Sequence, residues 1–280
     1  MVSSRLLSLA AGVIPELIQD PARFVEVTAG AGWKATGVWF DQKSWSSTTS
    51  REVKRRIDDT GVEAVDMEVI RLGRSIDTGK ALIEAACEVG AKNILVVSSL
   101  HSSEETAEQL SHLCSLAKAG DITICLEFMK FTSVKSLSDA LEVVKLVDAS
   151  NVGILLDLLH VVRSGTTFKQ IEACDPNLFP YAQWCDGTAQ PVGWSDSELI
   201  TDALDDRLIP SEGKLDALKF ESLFDTGVPF SIEVRSQHLR ESFPDYEERA
   251  RYVLGQTLAA LEISGSVSYT HLRAHETTNY

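Results

Sequence analysis

The chain has 280 residues, of which 44% are hydrophobic and 24% charged, and its formal net charge is −15. That composition supports a sizeable core, either one large α/β barrel or two medium domains. The acidity argues against a nucleic-acid partner, because the one basic run, Lys54-Arg55-Arg56, is followed at once by Asp58 and Asp59.

Along the chain, short apolar runs alternate with longer amphipathic ones, the pattern of repeated βα units. Leu6–Ala10 reads as the first strand and Asp20–Ala31 as the first helix, with Asp20 as N-cap and Pro21 at the first helical position. Ala35–Phe40 is strand two, and the helix Thr49–Asp59 closes at Gly61. Val62–Leu72 is strand three, with Glu68 set in an apolar run, followed by the helix Asp77–Val89 with Gly90 at its end. Asn93–Ser98 is strand four, apolar enough to be buried on both faces, and the helix Ser103–Ala119 begins at a Ser103 cap. Ile122–Phe128, Val152–Leu156, Tyr181–Cys185 and Pro229–Val234 are strands five to eight. The helices Ser136–Val147, Phe168–Ala173, Leu215–Phe224 and Tyr246–Ile263 follow them in turn. Thr188–Lys214 is a long polar segment that reads as a lid. Eight strand–helix pairs predict a single (β/α)8 barrel; a doubly wound sheet is the rival, but no Gly-rich phosphate loop follows strand one.

Five scattered cysteines without a CxxC pair point to reduced thiols and a cytoplasmic protein. No apolar run reaches the roughly 18 residues that span a bilayer, so no membrane partner is expected. The start, Arg5 to Val13, reads as a buried strand and not a signal peptide. The barrel is assigned to residues 1–266. The segment 267–280 lacks core periodicity and resembles the translation of a sequencing adaptor, so it is set aside as a non-native tail, with His271 and His275.

In a barrel of this type the C-terminal strand ends converge on one mouth, where chemistry sits. Those ends carry Glu68, Glu127, Asp157 with His160, Gln183 with Asp186, and Glu233. Carboxylates seldom tolerate burial unless paired or bound to a cation, and several around one cavity call for a divalent ion. Three carboxylates and an amide oxygen are hard donors, suited to magnesium or manganese rather than to thiolate-type zinc. Singly, each has a plain structural alternative: Asp157 as the cap of the next turn, His160 as a core histidine, Trp39 and Trp184 as packing.

Together the motifs Leu-Glu127, Asp157-x-x-His160, Asp186, Arg207-x-x-Pro210-x-Glu212-Gly213-x-x-Asp216 and Ser231-Ile-Glu233 resemble the xylose-isomerase-like barrel superfamily of sugar and sugar-phosphate isomerases and epimerases. The opening Leu-Ser-Leu-Ala-Ala-Gly12 and Val38-Trp-Phe-Asp41 also fit. The resemblance implies one divalent ion, manganese or magnesium ahead of cobalt or zinc, held by Glu127, Asp157, the Gln183 position and Glu233. It departs at Gln183-Trp-Cys-Asp186, where the family has His-x-x-Asp. Proton transfer beside a carbonyl through an enediolate is implied, with Glu127 and Glu233 as the catalytic carboxylates and a small sugar or keto compound as substrate. His160, Arg207, Glu68, Asp186, Trp39 and Trp184 are the implied substrate contacts. Two alternatives stay open: a dehydratase of a keto-inositol or cyclic hydroxy-acid, and a non-catalytic sugar-binding barrel. An endonuclease on this scaffold needs a histidine-rich multi-metal site, against which the acidity and few histidines argue. A homo-oligomer is compatible with the sequence.

Overall fold

The computed structural model describes residues 5–73, 76–189 and 192–276. Eight parallel strands close into a barrel in sequence order: β1 (Leu7–Leu9), β2 (Ala35–Trp39), β3 (Glu63–Leu72), β4 (Asn93–Ser98), β5 (Thr123–Glu127), β6 (Val152–Asp157), β7 (Ala182–Trp184) and β8 (Phe230–Ile232). The register Leu7↔Phe230, Ser8↔Ser231, Leu9↔Ile232 joins the last strand to the first. The helices around them are α1 (Pro21–Gly30), α2 (Ser47–Thr60), α3 (Ile76–Val89), α4 (Ser103–Ala117), α5 (Leu137–Leu146), α6 (Leu158–Ser164), α7 (Phe168–Glu172), α8 (Asp196–Asp205), α9 (Ala217–Glu221), α10 (Gln237–Ser242) and α11 (Tyr246–Glu276). The predicted (β/α)8 barrel is the observed fold.

Two apolar cores follow from strand alternation. Outward side chains such as Met67, Ile94 and Leu126 pack against the helices. Ala35, Val65, Leu95, Cys125, Leu155 and Tyr181 fill the barrel interior. Every residue of β4 is buried, as its unbroken apolar run requires. A bulge in β3 opposite Thr36 and Gly37 adds one residue, and Asp66 is left fully buried beside Gly37. At β1, Arg5 donates to Glu221 at 2.7 and 2.9 Å and to the carbonyls of Asp225 and Val228, tying the first strand to the chain before β8.

Local chemistry sets the helix ends. Asp20, Ser46, Ser136 and Thr167 each accept from a backbone N–H of the first turn, and Gly61 closes α2 in the left-handed region at φ 72°. Helix α4 is capped by Ser102 and not by Ser103, because Ser102 is the extended residue whose hydroxyl meets the N–H of Glu105. Three helices go beyond the sequence expectation. Helix α6 starts directly from the last residue of β6, leaving no turn signal between them. Helix α8 lies within the expected lid, opened by a capping box of Ser195 and Glu198. Helix α10 is a short one begun by Ser236. Described side chains end at Ile263, so the reading of 267–280 as an adaptor-derived tail lies outside them. Among the described residues, no helix is long and apolar enough to cross a membrane.

Candidate metal centre

Four adjacent strands deliver one polar side chain each to the same point. Glu127 ends β5, Asp157 ends β6, Gln183 sits in β7 opposite Asp157, and Glu233 follows β8. All four are buried, none more than 5% exposed. One terminal atom of the Gln183 amide stands 3.2 Å from Glu127 Oε1, 3.2 Å from Asp157 Oδ2 and 3.2 Å from Glu233 Oε2. Asp157 uses its two oxygens differently. Oδ1 accepts from the N–H of His160 at 3.2 Å, capping α6, while Oδ2 faces the cluster. The cap and the site are thus the same residue, not alternatives.

Arg207 brings a buried guanidinium to this cluster. Its Nη1 donates to Asp157 Oδ2 at 2.6 Å and meets Cys185 Sγ at 3.5 Å; its Nη2 lies 3.1 Å from Glu233 Oε2 and 3.5 Å from His160 Nε2; its Nε donates to the Ala203 carbonyl at 2.8 Å. Those five contacts engage all three nitrogens, so the guanidinium braces the carboxylates. It does not pair with Asp205 or Asp206, the neighbours in sequence. His160 Nε2 is 3.9 Å from Glu127 Oε1, and the edge of Phe131 packs on its ring with centroids 5.7 Å apart.

One guanidinium cannot neutralise three carboxylates, and the titration directions say so. Burial pushes Glu127 well above the usual carboxylate range, and the charges of Asp157 and Glu233 add to it. Burial lifts Glu233 to about 8 despite Arg207 and Arg235. Asp157 also suffers burial, but Arg207 and His160 outweigh it and hold its pKa below normal. Burial keeps His160 down at about 4, and so neutral at neutral pH. Further along β3, burial raises Glu68 and Asp66 to about 7 each.

The donor set fits a divalent cation. Metal–oxygen bonds of roughly 2.0–2.2 Å place neighbouring ligand oxygens about 3.0–3.5 Å apart, which matches the 3.2 Å spacing around Gln183. Without a cation, turning the NH2 toward the three carboxyl groups satisfies the amide; with one, its oxygen could join theirs as a ligand. Glu127, Asp157 and His160 also bring one ligand atom each within 4.8 Å of the others. The residues therefore offer a carboxylate-rich group able to hold a metal ion.

A cavity of about 520 Å³ opens over this cluster and is lined by Trp39, Glu68, Glu127, His160, Arg207 and Glu233, with Phe131, Ile200 and Leu204 as apolar walls. Two residues expected at the site lie elsewhere. Trp184 is fully buried outside the cavity, donating from Nε1 to the Ala217 carbonyl at 2.9 Å and packing on Phe230. Asp186 faces away from the cavity and accepts from the N–H groups of Gly187, Ser211 and Leu215, fixing the loop after β7. Strand alternation explains Trp184, since it and Gln183 must point to opposite faces, whereas Asp186 lies in the loop beyond β7 and is turned by the N–H groups it accepts from. Conversely, Arg71 and Arg235 line the cavity although the sequence reading passed over them. Arg235 stands two residues after Glu233, the only signal that could have found it. Asp66 was missed because the bulge that turns it inward leaves no sequence mark.

By overall structure the chain is similar to several solved proteins. With a xylose isomerase-like TIM barrel/4-hydroxyphenylpyruvate dioxygenase fusion protein it shares 17% identity and a TM-score of 0.74, spanning 93% of this chain but only 44% of that one. The IolI protein with a bound zinc atom gives 17% identity and a TM-score of 0.77 over 92% of this chain and 98% of that one. The probable 3-DHS dehydratase AsbF from Bacillus anthracis gives 17% identity and a TM-score of 0.66, covering 89% and 98%. At such identities the likeness is one of fold. No curated protein matches the chain in sequence. Residues 22–253 match the sequence profile of the xylose isomerase-like TIM barrels, and the chain belongs to that family.

Proposed function

We propose that the chain is a divalent-metal-dependent isomerase or epimerase of a ketose or related hydroxy-keto compound. The observation that carries this reading is the convergence of Glu127, Asp157 and Glu233, each 3.2 Å from the Gln183 amide, beneath a cavity of sugar size. These four would hold the ion, manganese or magnesium by the hardness of the donors. When bound, such an ion polarises a carbonyl and its neighbouring hydroxyl and lowers the cost of an enediolate. Glu127 and Glu233 both reach the cavity, one to remove the proton beside the carbonyl and the other to return it. Arg207 fixes the carboxylates of Asp157 and Glu233, so neither needs to reorient during transfer. His160, neutral and packed against Phe131, lines the cavity and would contact substrate there with its ring, its Nε2 lying 3.5 Å from Arg207 Nη2. Trp39 and Glu68 complete the wall. Helix α8 borders the cavity with Ile200 and Leu204 and is tied to α6 by the ion pair of Arg163 with Asp202 at 2.8 Å.

A dehydratase begins with the same proton abstraction and then expels a hydroxyl, and the fold likeness to AsbF, titled a probable 3-DHS dehydratase, favours it as the second reading. Incubation with ketoses and cyclic hydroxy-keto acids in D2O with manganese separates the two. Deuterium gained beside the carbonyl without loss of mass supports isomerisation. Loss of water shifts the assignment to a lyase, and neither change leaves a binding barrel.

A further inference from the structure

One cavity cation, Arg235, acts on Glu233 and Glu68 through charge alone and is not hydrogen-bonded into the carboxylate cluster. Arg235 leaves β8 two residues after Glu233, is half-buried, and lines the same cavity. Among the described residues its guanidinium makes no hydrogen bond or ion pair; it lies over the Trp39 ring, its central carbon 5.5 Å from the ring centroid. Its position is built. The side chain runs across Gly12, where a β-carbon would collide with its Nε and press on Cγ and Cδ. Its backbone carbonyl accepts from the N–H of Arg207 at 3.0 Å, so the two arginines are set by one strand end. The second guanidinium on Trp39 is Arg71, 6.0 Å from the same centroid and on the same cavity wall. A chain of net charge −15 that holds, inside its cavity and beside an aromatic face, a guanidinium whose N–H donors make no hydrogen bond among the described residues is equipped for an anion.

We propose that the substrate carries an anionic group, a carboxylate or a phosphate, and that Arg235, braced by Gly12 and Trp39, binds it with Arg71 alongside. Arg207 does not take this role, because its nitrogens are engaged by Asp157, Glu233, Cys185, His160 and Ala203. The inference rests on the proposed function only in taking this cavity as the substrate site.

Isothermal titration of the purified protein with two matched pairs tests it: glucuronate against glucose, and ribose 5-phosphate against ribose. The anionic member of at least one pair is expected to bind about tenfold or more tightly than its neutral partner. Which pair shows the preference tells carboxylate from phosphate. Arg235→Gln should bring the two members within about twofold, and Arg235→Lys should keep part of the preference. Gly12→Ala should weaken the preference while every charge is retained, because it displaces the side chain. Equal binding within both pairs, no anion binding at millimolar concentration, or a preference unchanged in Arg235→Gln would overturn the proposal. Binding needs no turnover, so failure here is distinguishable from failure of the isomerase reading, which proton exchange tests.

Discussion

Gln183 stands where the family resemblance places an imidazole, and we propose that its amide oxygen serves as a ligand there. Three carboxyl oxygens surround its end at 3.2 Å, a geometry that an NH2 group meets as donor and an amide oxygen meets across a cation or toward a protonated carboxyl. Replacing Gln183 by His introduces a stronger ligand, and manganese or zinc affinity should rise about tenfold or more by calorimetry; unchanged affinity would remove position 183 from the ligand set. Glu233→Gln keeps shape and removes charge, so turnover should fall by about 10²–10⁴-fold with little change in melting temperature. Retained activity would take Glu233 out of the chemistry. Residues of this kind were legible in the sequence because a carboxylate ending an apolar strand is costly without a purpose. Trp184 was misjudged because one residue of strand register moves a side chain to the other face. Arg235 was passed over because nothing in sequence says that Gly12 makes room for it.

At the scale of elements, the strand ends were read well because barrel strands are buried and caps are chemically marked. The gaps were places where one residue serves two elements. Asp157 finishes β6 and caps α6, so no punctuation separates them. The loop after β7 is held differently: Asp186 receives three backbone N–H groups, at 2.8, 3.2 and 2.9 Å, and Gly213 lies so close that a β-carbon would overlap the carboxylate. Asp186→Ala leaves those donors without their acceptor and should cost about 2–4 kcal/mol in urea denaturation. A loss under about 0.5 kcal/mol would show that the loop is held by other contacts.

For the whole molecule, the barrel concentrates buried acids that folding alone does not neutralise. Burial first, then the neighbouring acids, raises Glu68 and Asp66 to about 7 and Glu233 to about 8. A raised folded pKa means that the folded state keeps protons the unfolded chain releases. The stability they contribute is full below the ordinary carboxylate range and is lost as pH rises through 7 to 8. Asp157, shifted the other way, is ionised in both states there and leaves the slope unchanged. The melting temperature of ion-free protein should therefore fall by several degrees between pH 6 and pH 8.5, and manganese at about 100 times its Kd should add about 2.7 kcal/mol at the upper pH. A flat profile in chelator would contradict the charge excess.

The most direct measurement is a manganese titration of chelator-treated protein, followed by calorimetry and elemental analysis. One ion per chain is expected in wild type and at least about a tenfold loss of affinity in Asp157→Asn, a change that preserves the α6 cap. No saturable binding, or binding unaffected by Asp157→Asn, would contradict the metal centre.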